Sequence, residues 1–314
     1  MKDSFNREID YIRISVTDRC NLRCLYCMPD GVEKITHEAI LRDEEIIELV
    51  KEGVKIGIKK VRITGGEPLV RRGIYSLIRN IKDIEGIKEL TLTTNGLLLE
   101  GKVDKLKEAG VDRVNLSLDS LKPEKLKKVT NSTETIDYIK LIEDLRRYGI
   151  TPIKINTVLL KGINDDEIND FLKLSKEHDL IIRFIELMPI GHLNFSWVDH
   201  YLSNDHVLKE CPELKIFRED KNTVYYATEG QLGMIGLINP ISHKFCGSCN
   251  RIRLTADGKL KPCLHTNQEI NVKSISNIQL KAKLRKVIMD KPKNHKIKDK
   301  SFTKVKRSMN RIGG

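Results

Sequence analysis

The stretch Tyr11-Ile12-Arg13-Ile14-Ser15-Val16-Thr17 alternates apolar and polar residues, the period-two pattern of a strand with one face in a core. It runs straight into Asp18-Arg19-Cys20-Asn21-Leu22-Arg23-Cys24-Leu25-Tyr26-Cys27, a loop carrying three thiols. The same alternation returns down the chain, so strands are predicted at Tyr11–Thr17, Lys60–Thr64, Glu89–Thr94, Arg113–Asp119, Ile153–Leu159 and Leu180–Leu187. Between them lie helical periods such as Glu44–Gly53, with Ile46, Ile47, Val50 and Val54 on one stripe. Strands alternating with helices through short connections imply a parallel sheet with right-handed crossovers.

A buried parallel strand is ordinarily apolar on both faces. Here the second face carries Arg13, Arg62, Thr91, Thr93, Asn115, Ser117, Lys154 and Asn156. Crossover helices all lie on one side, so curling the sheet shelters the other side. The expected fold is therefore α/β, a partial (βα)6 TIM-like barrel with a cationic interior suited to a large anionic ligand. An open sheet with its polar face in water is the alternative.

Hydrophobic residues make up 39% of the 314 and charged residues 32%, which excludes fibrous and disordered classes. No apolar run is long enough to cross a bilayer. Met1–Asp10 is charged and lacks a signal-peptide core, so the expectation is a cytoplasmic protein with no membrane partner. A net charge of +12 permits an anionic partner. The lysines are interleaved with glutamates and aspartates, however, and read as a solvated surface. The denser Lys291–Arg307 segment has Phe302 as its one aromatic and no arginine cluster, so no nucleic acid is expected and the segment carries no assignment.

The seven cysteines fall into two triplets and one outlier, Cys211, read as an inert thiol. Thiolates at Cys20, Cys24 and Cys27 can ligate three irons of a cubane and leave the fourth open. A zinc site would want a fourth ligand, and the loop offers none. The second triplet is Cys246, Cys249 and Cys263. A hairpin turning at Asp257-Gly258 would set Cys263 near Ile252 and beside Cys249. His243 and His265 could complete a Cys3His zinc site, so these residues alone leave zinc and iron–sulfur open.

The first loop, Cys-x3-Cys-x2-Cys with Tyr26 before the last cysteine, resembles the radical S-adenosylmethionine signature. Gly65-Gly66-Glu67-Pro68 resembles that family's glycine-rich stretch beside the methionine moiety. The pattern from Phe245 to Leu264, Val61–Pro68 and the ending Gly313-Gly314 resemble the GTP 3′,8-cyclase family across essentially the whole chain. The resemblance implies two 4Fe–4S clusters, on Cys20, Cys24 and Cys27 and on Cys246, Cys249 and Cys263. It implies S-adenosylmethionine bound by Tyr26, Gly66, Ser117 and Met188. It places GTP on Arg13, Arg62, Thr93, Lys154, Arg251, Ile252 and Arg253, with Arg251, Arg253, Gly313 and Gly314 acting in catalysis.

The implied domains are a barrel over residues 1–188 and, over 189–314, a hairpin-containing extension that carries the second cluster and the Gly-Gly tail and closes the barrel. The implied reaction is of the lyase class. A 5′-deoxyadenosyl radical takes the ribose 3′ hydrogen of GTP, and the resulting carbon radical attacks guanine C8. The implied partners are a flavodoxin- or ferredoxin-type electron donor, cyclic pyranopterin monophosphate synthase downstream, and a second copy in a homodimer. The rival reading is a radical S-adenosylmethionine enzyme that modifies a peptide or RNA and holds an auxiliary cluster.

Overall fold

The computed structural model describes residues 1–28, 35–191, 193–297 and 305–313. Its first half contains six strands: β1 Tyr11–Ser15, β2 Lys60–Thr64, β3 Glu89–Thr94, β4 Arg113–Ser117, β5 Lys154–Leu159 and β6 Ile181–Glu186. They are parallel neighbours in that order. Helices Asp43–Lys55, Ile74–Lys82, Val103–Glu108, Pro123–Thr130, Tyr138–Arg147 and Ile168–Glu177 connect them. The alternation in the sequence thus locates every one of these strands. Their apolar positions, among them Ile12, Ile14, Ile63, Leu92, Leu116 and Ile155, are fully covered by Ile46, Leu49, Leu77, Leu106 and Leu145 from the helices. Each such side chain contributes about 1.5–3 kcal/mol.

Six further strands follow: β7 Lys215–Asp220, β8 Thr223–Ala227, β9 Met234–Ile238, β10 Arg251–Leu254, β11 Lys259–Lys261 and β12 Ile270–Asn271. They extend the same sheet at both ends, giving the order β12-β11-β10-β1-β2-β3-β4-β5-β6-β9-β8-β7. β10 lies parallel to β1, with Tyr11 opposite Arg251 and Arg13 opposite Arg253. β9 lies parallel to β6, with Arg183 opposite Gly236.

The hairpin forms as expected but one residue out of register. Leu254 pairs with Leu260 and Arg253 with Lys261, so the turn is Ala256-Asp257-Gly258 rather than two residues. Gly258 at φ 75° closes this three-residue turn. Continuing that register sets Cys263 across from Arg251 instead of Ile252. Among the described residues, no helix is long and apolar enough to cross a membrane.

Candidate active site

The loop after β1 hangs on the turn after β2. Gly66 N donates to Thr17 O and Glu67 N to Arg19 O, each at 2.8 Å. The approach is so close that a Cβ on Gly66 would lie 2.3 Å from Arg19 O, which is why glycine stands there. The Glu67 carboxylate accepts from Leu69 N, Thr94 Oγ1 and Asn95 N, fixing the turn against β3. Burial pushes its pKa up to about 7. On this support Cys20, Cys24 and Cys27 line a pocket together with Tyr26, Gly66, Thr93, Ser117 and Asp119. Tyr26 Oη donates to Asp119 Oδ2 at 2.7 Å. Burial pushes the Cys20 thiol up to about 11 and Cys27 to about 12, and holds Cys24 well above the ordinary thiol range. Such thiols ionise only beside a strong positive charge such as a metal.

A second cavity lies on the polar face of the sheet. Its walls include Arg13, Arg62, Arg183, Arg251 and Arg253, together with Cys246, Cys249 and Cys263. Five guanidiniums on one wall repel each other, and burial lowers the pKa of Arg13 well below its ordinary value and that of Arg253 to about 10. Arg13 Nε and Arg183 Nε are buried without a hydrogen-bond partner. An unmet buried donor costs about 1–3 kcal/mol, and more when it is charged, so the wall is complementary to a multiply charged anion. Lys154 sits just behind this wall, its Nζ 3.4 Å from Tyr225 Oη. Burial, with Arg183, Arg113 and Arg62 adding to it, lowers its pKa to about 7. Thr93 lines both pockets, so they meet at that residue.

Two residues expected at these sites are placed elsewhere. Met188 lines the second cavity, not the cysteine-loop pocket, with its Sδ 3.3 Å from His265 Nε2. Ile252 is buried in the apolar layer and does not line the cavity, although Arg251 and Arg253 on either side of it do. The histidines considered for zinc are engaged in other contacts. His243 Nε2 lies 3.1 Å from Asp205 Oδ1, and the His265 ring stacks on His295 with centroids 4.5 Å apart. Among the described residues no three Cys, His, Asp or Glu side chains are grouped to hold a single metal ion. A cubane spreads its thiolates over separate corners and needs no such convergence.

The tail enters between the ends of β1 and β2. Asn310 Nδ2 donates to Asp18 O at 2.8 Å, and Arg253 Nη1 donates to the carbonyl oxygens of Gly313 and Ile312. Gly313 has φ 66°, and a Cβ there would lie 2.3 Å from Thr64 Oγ1. Gly314 lies outside the described residues. Arg307 anchors the segment by gripping Asp257 and Glu269 through four hydrogen bonds. Cys211 is remote and buried, with its Sγ 3.4 Å from Asn169 Oδ1. The sequence does not single out Arg183, although it is the one cation in a strand whose other charge is the terminal Glu186.

Residues 14–175 match the Radical SAM superfamily, and residues 180–297 match Molybdenum Cofactor Synthesis C. A GTP 3′,8-cyclase of Alkaliphilus oremlandii is 47% identical, with 100% of each chain covered. One from Listeria monocytogenes is 44% identical over 100% of this chain and 99% of its own. Among solved structures, Streptococcus suis SuiB bound to S-adenosylmethionine shares the fold at TM-score 0.62 and 17% identity, with 91% of this chain and 66% of SuiB covered.

Proposed function

The chain belongs to the GTP 3′,8-cyclase family of radical S-adenosylmethionine enzymes, and from that premise we propose how its two pockets divide the work. The reaction converts GTP to 3′,8-cyclo-7,8-dihydroguanosine 5′-triphosphate, the first step of molybdenum cofactor biosynthesis. A 4Fe–4S cluster and S-adenosylmethionine belong to the family's chemistry. Cys20, Cys24 and Cys27 fit that cluster, being three thiols that line one pocket, and cluster iron would draw them into the thiolate form that their surroundings otherwise disfavour. Tyr26, Gly66 and Ser117 share the pocket and would hold S-adenosylmethionine, with Asp119 orienting Tyr26. When bound, this pair supplies a 5′-deoxyadenosyl radical that starts ring closure on GTP.

Cys246, Cys249 and Cys263 would hold a second 4Fe–4S cluster, which would supply a binding centre for the guanine. His243 turns outward to Asp205 while His265 shares the cavity with the three cysteines, so the metal count decides between this cluster and a Cys3His zinc site. Arg13, Arg62, Arg183, Arg251 and Arg253 take the triphosphate, with guanidinium forks suited to paired phosphate contacts. Lys154 adds a further cation from behind. This division implies a sheet curled into a partial barrel, since residues from β1, β2, β6 and β10 share one cavity wall. The unit over 1–188 then supplies the radical, while that over 189–314 supplies the second cluster and the tail. Gly313, where a side chain would collide with Thr64, would bring the tail to the ribose end of GTP. A flavodoxin- or ferredoxin-type protein donates the electron, and cyclic pyranopterin monophosphate synthase receives the product.

The observation that carries this reading is the meeting of the two pockets at Thr93, which gives a radical formed in one a short path to a ligand in the other. The test is anaerobic reconstitution with iron and sulfide, metal analysis, and product detection with S-adenosylmethionine and GTP. About eight irons per chain and a cyclic nucleotide are expected. About four irons with zinc would remove the second cluster, and 5′-deoxyadenosine without cyclic nucleotide would remove GTP.

A further inference from the structure

Lys291 stands just beyond the helix Asn277–Met289 and is only 3% exposed. Its Nζ meets Arg251 O at 2.6 Å, Pro262 O at 2.9 Å and Cys249 Sγ at 3.7 Å, so each ammonium proton has an acceptor. These acceptors lie on both limbs of the cysteine-bearing hairpin. Arg251 begins β10 two residues after Cys249, and Pro262 immediately precedes Cys263. Among the described residues no carboxylate hydrogen-bonds to it, and a buried ammonium without a nearby negative charge is costly. Arg7 backs the arrangement by donating to Cys246 O at 2.8 Å and to Pro292 O at 2.9 Å.

We propose that Lys291 is a positioning residue for the second cysteine site, which clamps Cys249 and Cys263 onto one cavity and raises the reduction potential of the cluster held there. The proposal rests on the reading of Cys246, Cys249 and Cys263 as cluster ligands. A charged donor on a ligand sulfur stabilises the more negative, reduced cluster, and hydrogen bonds to sulfur are a recognised lever on potential. Among the described residues the first site shows no equivalent cation on a cysteine sulfur. Its nearest guanidinium, Arg23, donates to the carbonyls of Cys20 and Leu22 rather than to sulfur.

The test compares the parent protein with Lys291→Met, Lys291→Gln and Lys291→Arg. Each is reconstituted anaerobically, counted for iron and sulfide, and reduced stepwise under electron paramagnetic resonance. The Cys246→Ala/Cys249→Ala/Cys263→Ala protein identifies the signal of the first cluster. In Lys291→Met the reduced-to-oxidised ratio of the second cluster at a fixed potential should fall about tenfold, the weight of one charge-assisted hydrogen bond. The first cluster should not change, and Lys291→Arg should restore most of the ratio. Selective loss of second-site iron in Lys291→Met would support the clamp. Lys291→Gln, which keeps a donor without the charge, should then show the same shift. Full iron with an unchanged ratio in both Lys291→Met and Lys291→Gln overturns the proposal. Zinc at the second site of the parent protein overturns the cluster reading itself, and the metal count shows that before any variant is measured.

Discussion

The two cysteine triplets look alike on paper, yet the fold gives them opposite electrical surroundings. Around Cys20, Cys24 and Cys27 burial is the main influence, and the carboxyls of Glu67 and Asp119 push the same way. At Cys249 burial also pushes upward, but Lys291 and Arg251 overcome it and bring the thiol to about 7, whereas at Cys263 burial still outweighs the pull of Lys291. A cluster in negative surroundings holds its electrons weakly and is a strong reductant, which cleavage of a sulfonium requires. In positive surroundings it keeps its electrons and serves better as a binding centre. Spacing therefore specifies where sulfur can gather, and the neighbours specify what the gathered sulfur is good for.

Removing one cysteine from each side tests this contrast most severely. Cys24→Ala should reduce 5′-deoxyadenosine formation to background, because the only entry for the electron is lost. Cys249→Ala should keep part of that cleavage while the cyclic nucleotide disappears. Chromatography of both products under anaerobic conditions reads the split. Cyclic nucleotide at the parent rate from Cys249→Ala would make the second triplet structural and end the comparison.

The tail lies between the two sides and should fail in a third manner. In Gly313→Ala the new methyl meets Thr64 Oγ1 at 2.3 Å, on a backbone with φ 66°. Left-handed strain of about 1–2 kcal/mol and overpacking of about 1–3 kcal/mol should expel the tail. Iron content and S-adenosylmethionine binding should hold, while cyclic nucleotide falls at least about tenfold. Undiminished product would make the tail a bystander.

The cationic side is sharpened by a pH measurement on Lys154. Its ammonium is disfavoured in the empty cavity, with a pKa near 7 set by burial and by Arg183, Arg113 and Arg62, against the pull of Asp220. A triphosphate favours the charged form, so binding above that pH takes up a proton. GTP affinity due to Lys154 should therefore be level below about pH 7 and fall as pH rises, by up to about tenfold per unit. Lys154→Arg should abolish this decline. Calorimetry in buffers of different ionisation enthalpy counts the proton. Equal proton uptake by the parent protein and Lys154→Arg would detach Lys154 from the phosphates.

The smallest effect is expected at Cys211, the thiol outside both triplets. Cys211→Ala should cost about 1 kcal/mol on thermal unfolding and leave the iron count unchanged. A lower count would give one of the two sites a ligand that neither triplet contains.

Local pattern made much of this legible. Alternation located β1 to β6, because each strand's two faces meet different media. The same count put Arg13, Arg62 and Lys154 on the polar side, and Gly65-Gly66 marked a close backbone approach. What stayed hidden depends on distant partners. Nothing near Arg251 announces that β10 will lie against β1, since the pairing joins residues 11 and 251. Lys291 belongs to a basic segment that carries no assignment in the sequence, and the carbonyls folded around it reveal its role. The hairpin slipped by one because Ala256 joins the turn, a choice made by Gly258 closing a three-residue loop.

The insertion of β10 beside β1 also constrains the order in which the molecule can be assembled. The β1-to-β6 ladder is complete once residue 186 is in place, but the outer edge of β1 keeps open donors and acceptors until Arg251–Leu254 arrives. Contacts of such long sequence separation form slowly, and an open strand edge invites pairing with other chains. The first cysteine loop rests on β1, β2 and the segments carrying Asn95, Asp119 and Val129–Thr130, all in the first half of the chain, whereas the second triplet cannot gather before β10 and β11 are seated. Metal loading is therefore expected to be ordered, with the first site able to fill on an unfinished sheet and the second filling only as its exposed edge is sealed.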